Sequence, residues 1–592
     1  MASTTAPVTP AQAEREKQMR EAEELLFSGP QRSGFAKGLF QGKFLGPVIF
    51  PYPSLPVPDL AEAEAAAAQL RDFAASSIDP FEIDRQADIP PSVIDGLARL
   101  GVLGMTAPRE FGGRGFSQRQ YCRIMEVLGG HDAGVAVFVN AHHSIGIRAL
   151  LLFGTPEQKA RWLPDLCAGR KLGAFALTEE QAGSDAANVQ TTATPSPDGN
   201  GWILNGTKRY ITNGAIADVL TVMARTPDPR GGDSKVTAFL VTPDMPGFEV
   251  VEARMPKCGI RGTATAKLAF KDMHVPAENV LGQVGSGLKI ALTVLNFGRT
   301  TFGASCTGAA KEYLRAAVAH AKTRRQFNRT LSNLEAIRKK IAYLSAIAYA
   351  MEAATIETAA LIDSGADDYM LETAILKVFS TEYLWQGSYE VLQVHGGLGY
   401  FLDQPYERWM RDARINTIGE GANEVLKSFI AMVGVRDIAM GLKGTLDDVK
   451  SVTRAVPAIL RFGGDHLKRT FSTPRVEVQS EALRPFARTL AHQVGQFGWV
   501  VERALMRYKE DILERQYVHE RLADAAIALY VAACTLARLD QELSQGNAEN
   551  RAAAELYLAM AARRVSESLE GMDDNDDEAF EKAAAACLDA KS

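Results

Sequence analysis

A change of texture between about residues 174 and 285 limits what this chain can fold into more than any other feature. Short runs rich in β-branched and aromatic residues follow one another there: Ala174–Thr178, Trp202–Asn205, Val219–Ala224, Val236–Val241 and Lys267–Phe270. Gly, Pro, Asn and Asp separate them, which predicts a small antiparallel β domain. Both flanks read as helix. Residues Ala61–Phe73 are dense in strong helix formers. Pro90 and Pro91 open another helix, and Thr155 before Pro156 reads as an N-cap. After the sheet, Ile337, Ile341 and Leu344 fall on one helical face at spacings of 4 and 3. The expected fold class is therefore mainly α with a central antiparallel β domain. Its expected parts are an irregular surface arm (1–58), an N-terminal helical domain (59–173), the β domain (174–285), a helical bundle (286–435) and an extra helical domain (445–592). The acidic run Asp573–Glu578 predicts a disordered tail.

Composition narrows the function classes. The 592 residues are 46% apolar and carry a net charge of −6, so there is ample core, and the clustered Lys and Arg that nucleic acid demands are missing. Six cysteines lie far apart, with no CxxC and no Cys/His cluster, so neither a disulfide framework nor a metal site is indicated. Residues 12–25 mix both charge signs, unlike a mitochondrial presequence, and no apolar run suggests a signal peptide. A cytoplasmic location is expected, with at most peripheral membrane contact.

Five segments carry possible chemistry, each with an ordinary structural explanation of its own. Phe175-Ala-Leu-Thr-Glu-Glu-Gln-Ala-Gly-Ser-Asp185 ends a strand in small hydroxyls and a Gly-Ser turn, which suit a phosphate or a flat ring. Asn205-Gly-Thr-Lys-Arg-Tyr-Ile-Thr-Asn-Gly214 reads as a short strand between two Asn-Gly turns. Thr323-Arg-Arg-Gln-Phe-Asn-Arg329 is a basic loop with a buried-type aromatic. In Val391-Leu-Gln-Val-His-Gly-Gly-Leu-Gly-Tyr400, glycines break a helix and permit close backbone approach. Ile418-Gly-Glu-Gly-Ala-Asn-Glu-Val425 sets Glu420 between two glycines before an apolar helical run. No strand leads into GxGxxG, so a Rossmann site is not indicated.

In this order and spacing the five segments resemble the acyl-CoA dehydrogenase family over roughly residues 60–435. The likeness is closest to its very-long-chain branch. It extends to Phe35-Ala-Lys-Gly-Leu-Phe40, to His131-Asp-Ala-Gly-Val135 and, in the extra C-terminal domain, to Glu514-Arg-Gln-Tyr517 and Arg521–Ile527. The resemblance implies FAD-dependent α,β-dehydrogenation of acyl-CoA in fatty acid β-oxidation, with Glu420 as the base whose own N–H helps to hold the thioester oxygen. Phe175, Leu177, Thr178, Ser184, Tyr210, Ile211, Thr212, Ala422 and Asn423 would contact the flavin. Arg324, Phe327, Gln393, Gly396 and Gly397 would bind its adenine end from a neighbouring subunit, so a homodimer is implied. Ser184, Asn296, Arg299, Gly419 and Gly421 would lie against substrate. Ala136 and Asn140 would line the far end of the acyl pocket, and their modest size points to a long chain.

The resemblance also implies electron-transfer flavoprotein as acceptor. An acyl-CoA oxidase, or an assembly factor for a respiratory complex, is the alternative. Departures from the family pattern are Glu180 for Pro, Gly419 for an aromatic, Ala422 for Thr and Glu335 for Gln, none of which removes a catalytic group. Residues 446–476 interleave Val, Ile, Leu and Phe with Lys and Arg. That is the pattern of a membrane-surface segment, and equally of a helix packed on its own domain.

Overall fold

The computed structural model describes residues 34–228, 231–232, 234–449 and 473–589. Two short helices, α1 (Phe35–Phe40) and α2 (Gly46–Ile49), precede the N-terminal helices α3 (Val57–Ser77), α4 (Pro80–Gln86), α5 (Pro91–Arg99), α6 (Gln118–His131) and α7 (Ala133–Val139). A π-helical stretch, Asn140–Ile147, continues α7 into α8 (Arg148–Phe153), and α9 (Pro156–Cys167) ends the group. Thr155 caps α9 in a reciprocal box with Gln158, as its sequence requires.

The strands are β1 (Gly173–Ala176), β2 (Thr192–Pro195), β3 (Gly201–Thr212), β4 (Val219–Thr226), β5 (Lys235–Val241), β6 (Phe248–Glu252), β7 (Thr265–Pro276) and β8 (Val280–Leu281). They form one sheet in the order β6-β7-β3-β2-β4-β5-β8, with β1 alongside β4. Pairing is largely antiparallel, but β1 joins β4 in parallel register. Asn205-Gly206 is not a turn. β3 runs straight through it with a bulge, and Gly206 takes φ 152° where a Cβ would meet Thr191 Oγ1 at 2.5 Å. Asn213-Gly214 is a turn, closed by Gly214 N–H on the Ile211 carbonyl at 3.0 Å. One face of the sheet packs on Trp162 and Leu166 of α9 and on Ile290 and Val294 of the next helix.

That helix, α10 (Gly287–Thr323), is the spine of the second helical layer. It packs beside α11 (Glu335–Asp363) and α12 (Met370–His395), and α12 in turn packs against the short α13 (Gly397–Tyr400), α14 (Tyr406–Arg414) and α15 (Asn423–Val449). The last group is α16 (Arg484–Tyr508), α17 (Gln516–Ser544), α18 (Arg551–Glu570) and α19 (Asp577–Leu588). Two described stretches are long and apolar enough to cross a membrane, Ala133–Phe153 and Gln516–Ser544. Their apolar windows are 72% and 94% buried in the molecule, as core helices are. Most of segment 446–476 lies outside the described residues.

Two expectations are corrected here. Within the expected surface arm, Phe35–Phe40 are instead all buried, with the Phe40 ring 4.9 Å from Phe497 of α16 and seated against Gly434 of α15. The Ala36 N–H donates to Glu372 Oε1 of α12 at 2.8 Å, and Lys37 pairs with Asp368. The acidic tail is not unstructured either. Asp573 pairs with Arg503, and Asp577 with Arg521 at 2.9 Å, so the charges are spent on docking α19.

Candidate active site

Glu420 occupies the tight connection between α14 and α15. It takes φ 55°, and Gly421 follows at φ 99°, so two successive left-handed residues swing the chain round before α15 starts. A non-glycine residue held there stores about 1–3 kcal/mol, which the surroundings must offset. Lys377 of α12 does so: its buried ammonium donates to the Gly421 carbonyl at 2.7 Å and to Asn423 Oδ1 at 2.8 Å. Among the described backbone hydrogen bonds none is donated by the Glu420 N–H.

The side chain reaches back to α10. Glu420 Oε1 accepts from Asn140 Nδ2 at 2.8 Å, while Oε2 is buried without a described partner. Burial pushes the carboxyl up to about 7, against the pull of Arg299, Lys377 and the Asn140 hydrogen bond. Burial likewise brings Arg299 down to about 10 and Lys377 down to about 8, with Glu420 opposing both. A buried carboxyl near neutrality is suited to taking a proton from carbon.

Gly298 makes room for it. A Cβ there would lie 2.5 Å from Glu420 Oε2 and 3.0 Å from Oε1. Gly298→Ala should therefore displace the carboxylate. Since misplacement by about 1 Å can cost roughly 100-fold, kcat/KM should fall by about that factor while bound FAD is retained, as activity and absorbance assays on one preparation would show.

A partly open cavity lined by Ala136 and Asn140 lies between α10 and α14, past Phe302, Cys306, Tyr313 and Trp409. Ala136 lines it as expected. Asn140 does not mark its far end, because its amide touches the carboxylate itself. Arg299 lies beside Glu420, its Nη1 on Asn296 Oδ1 at 3.2 Å and its Nε buried without a described partner. Asn296 also accepts from Thr373, and Asn423 from Thr381, so these two amides are spent inside the bundle. Gly419 contacts little beyond the Ile415 carbonyl, in keeping with a roomier wall.

On the sheet, Leu177 and Thr178 follow β1 and are clipped to β3. Arg209 N–H donates to the Thr178 carbonyl at 2.9 Å and Lys208 Nζ to the Leu177 carbonyl at 3.0 Å, with Lys208 paired to buried Glu179 at 2.6 Å. Phe175 and Ile211 point into the sheet's core, so only their backbone is available to a ligand. Tyr210, at φ 62°, presents a ring that is 56% exposed, with Thr212 two residues on. Ser184 is exposed beside Gly183, around which the space is open.

The remaining expected contacts form a separate exposed group. His320 and His395, in tilted ring contact with centroids 4.4 Å apart, bring the Arg324–Phe327 loop next to Gln393, Gly396 and Gly397. Phe327 is 83% exposed rather than buried, and nothing lies within 4 Å of a Cβ built on Gly396 or Gly397. No described hydrogen bond links this group to Leu177–Thr178 or Tyr210–Thr212. An open glycine cradle, an exposed ring and the exposed Arg324 fit the phosphate and adenine end of FAD.

Sequence reading missed Lys377, Gly298, Thr301, Glu179 and Lys208. Each acts on a segment far away in the chain, and although Glu179 and Lys208 fall inside two of the five segments, nothing local marks them as partners.

The acyl-CoA dehydrogenase N-terminal, middle and C-terminal domain models match residues 61–170, 174–273 and 285–434. A fourth, the ACAD9/ACADV C-terminal domain, matches 481–591. The mitochondrial very long-chain specific acyl-CoA dehydrogenase of Homo sapiens is 35% identical over 553 residues, covering 91% of this chain and 84% of that protein. A solved acyl-CoA dehydrogenase from Bacillus anthracis, complexed with FAD, aligns with a TM-score of 0.79 at 26% identity over 95% of this chain and 96% of its own. Butyryl-CoA dehydrogenase from Megasphaera elsdenii gives 0.61 at 34% identity, over 65% of this chain and all of its own.

Proposed function

Because this chain belongs to the acyl-CoA dehydrogenase family and is, with it, a FAD-dependent oxidoreductase, we propose that it converts long-chain acyl-CoA to trans-2-enoyl-CoA with Glu420 taking the α-proton. The observation that carries this reading is a carboxyl raised to about 7, with one buried oxygen unpartnered and the other held by Asn140, which lines the cavity between α10 and α14. FAD, when bound, supplies the acceptor for the β-hydrogen, which leaves as hydride.

The chain's own residues do the rest. The substrate's tail enters the cavity past Ala136 and Asn140, which sets the α-carbon against Glu420. The unengaged Glu420 N–H is available to the thioester oxygen and stabilises the charge that develops as the α-proton leaves. Arg299 and Lys377 favour the ionised carboxylate before transfer. Leu177, Thr178, Tyr210 and Thr212 hold the flavin ring, and the Arg324–Phe327 and Gln393–Gly397 group of a second copy holds its adenine end. The exposed Phe327, Tyr400, Phe401 and Leu402 support such a homodimer, since contiguous apolar patches of this kind mark interaction surfaces. Electron-transfer flavoprotein is the acceptor this reading implies.

Anaerobic addition of palmitoyl-CoA to the holoenzyme tests it. The flavin absorbance should bleach, recover slowly in air with little peroxide, and recover quickly with electron-transfer flavoprotein. Fast reoxidation with peroxide release would make the protein an oxidase instead, and failure of every acyl-CoA to bleach it would remove the reaction altogether.

A further inference from the structure

Asn140 opens the π-helical stretch at the point where the cavity meets the carboxylate. Such wide turns interrupt α-helices mostly where a side chain is needed in an unusual place. Its side chain is 3% exposed and lies between two partners. The hydroxyl of Thr301, on α10 and itself fully buried, donates to Asn140 Oδ1. Asn140 Nδ2 in turn donates to Glu420 Oε1 at 2.8 Å. An ionised carboxylate can only accept, so the amide must present its NH2 group; that turns Oδ1 to the Thr301 hydroxyl, whose single proton the Gly298 carbonyl at 2.9 Å also faces, and the contact with Thr301 supports the orientation. A hydrogen bond to a charged acceptor is stronger than one to a neutral acid, so it favours the ionised form.

The other charges facing Glu420 are Arg299 on α10 and Lys377 on α12. Both act through space, because the ammonium of Lys377 is engaged by Gly421 and Asn423, and Arg299 reaches Asn296. Asn140 is therefore the one described side chain that touches the carboxylate directly.

We propose that Asn140 is a positioning residue for the base: its amide, supported in that orientation by Thr301, holds Glu420 at Oε1, favours its ionised form and leaves Oε2 to take the proton. This rests on Glu420 being the base.

The test is the pH profile of kcat/KM for palmitoyl-CoA, measured on holoenzymes whose FAD content and melting temperature match wild type. Asn140→Leu keeps the volume and removes the donor, so the acid limb should move up by about one pH unit. Thr301→Val keeps Asn140 but frees its amide to turn, and should move the limb in the same direction by less. If Asn140→Leu does not retain FAD, Thr301→Val decides. A limb unmoved in the variants that fold, with Glu420→Gln inactive, overturns this proposal while leaving the base in place. A rise in KM with the limb unmoved also overturns it. Turnover by Glu420→Gln would overturn both.

Discussion

Glu420→Gln should hold FAD as wild type does and lose turnover by roughly 100- to 10,000-fold, the range over which a positioned base contributes. The amide has nearly the same shape and still meets Asn140, so the fold is spared and only the proton acceptor goes. The pH dependence gives a second readout with a definite sign. A base works ionised, and burial sets the Glu420 carboxyl at about 7, so wild-type kcat/KM should rise with pH through that value. The variant's residual rate should lack that limb. Steady-state assays from acid to mildly alkaline pH, with flavin absorbance recorded on the same samples, check both. Normal turnover by the variant would place the base elsewhere.

The largest stability effect is expected at Glu352 of α11. Its carboxylate is buried and meets Arg123 of α6 at 2.7 Å, Lys311 of α10 at 3.0 Å and Arg538 of α17 at 2.8 Å. It thus binds the N-terminal helices, the bundle and the C-terminal helices at one point. Burial alone would raise its pKa, but Arg538, Lys311 and Arg123 together overcome that and hold it well below the usual carboxylate range. Glu352→Gln leaves Arg123 and Lys311 to share Glu126 and Arg538 with Glu542 alone, so three cations converge on a neutral amide with one negative charge fewer among them. Breaking a buried pair in this way costs about 3–5 kcal/mol, and Lys311 and Arg123, which reach water, set the lower figure as the better guide. The sign with pH follows from the depressed value. The stabilisation is full above the ordinary carboxylate pKa and is lost only as pH falls through the lower folded one. Urea midpoints of wild type and variant should therefore differ by the same amount at neutral and mildly acid pH. Equal midpoints would show that the cluster is not holding these helices together.

What the sequence discloses depends on the range of the interaction. The order helix, sheet, helix is carried by local periodicity, and so are the caps at Thr155 and Pro91. Glu420 is legible because its neighbours are glycines and because four other segments stand in family order. Lys377 is not, since it lies in a helix buried all round and its partners are more than 40 residues on. Asn205-Gly206 carries the letters of a hairpin turn, yet β7 pairs with β3 on both sides of it, and long-range pairing overrides the local signal. Asn140 reads as a pocket wall in the sequence because the family resemblance places it there together with Ala136. The π-helical turn that starts there is a backbone event without a sequence signature.

The buried helix α1 has a consequence for how the molecule is made. Phe35, Leu39 and Phe40 leave the ribosome long before their seat is complete, since it is built by α12, α15, α16 and α17, the last of which ends at Ser544. At roughly 5–20 residues per second, synthesis of the intervening ~500 residues takes about 25–100 s. Throughout that interval three large apolar side chains have nothing to cover them and are open to chaperones. The first described residues of the chain are thus among the last to find their place, so completion of the fold reports that the C-terminal helices have arrived.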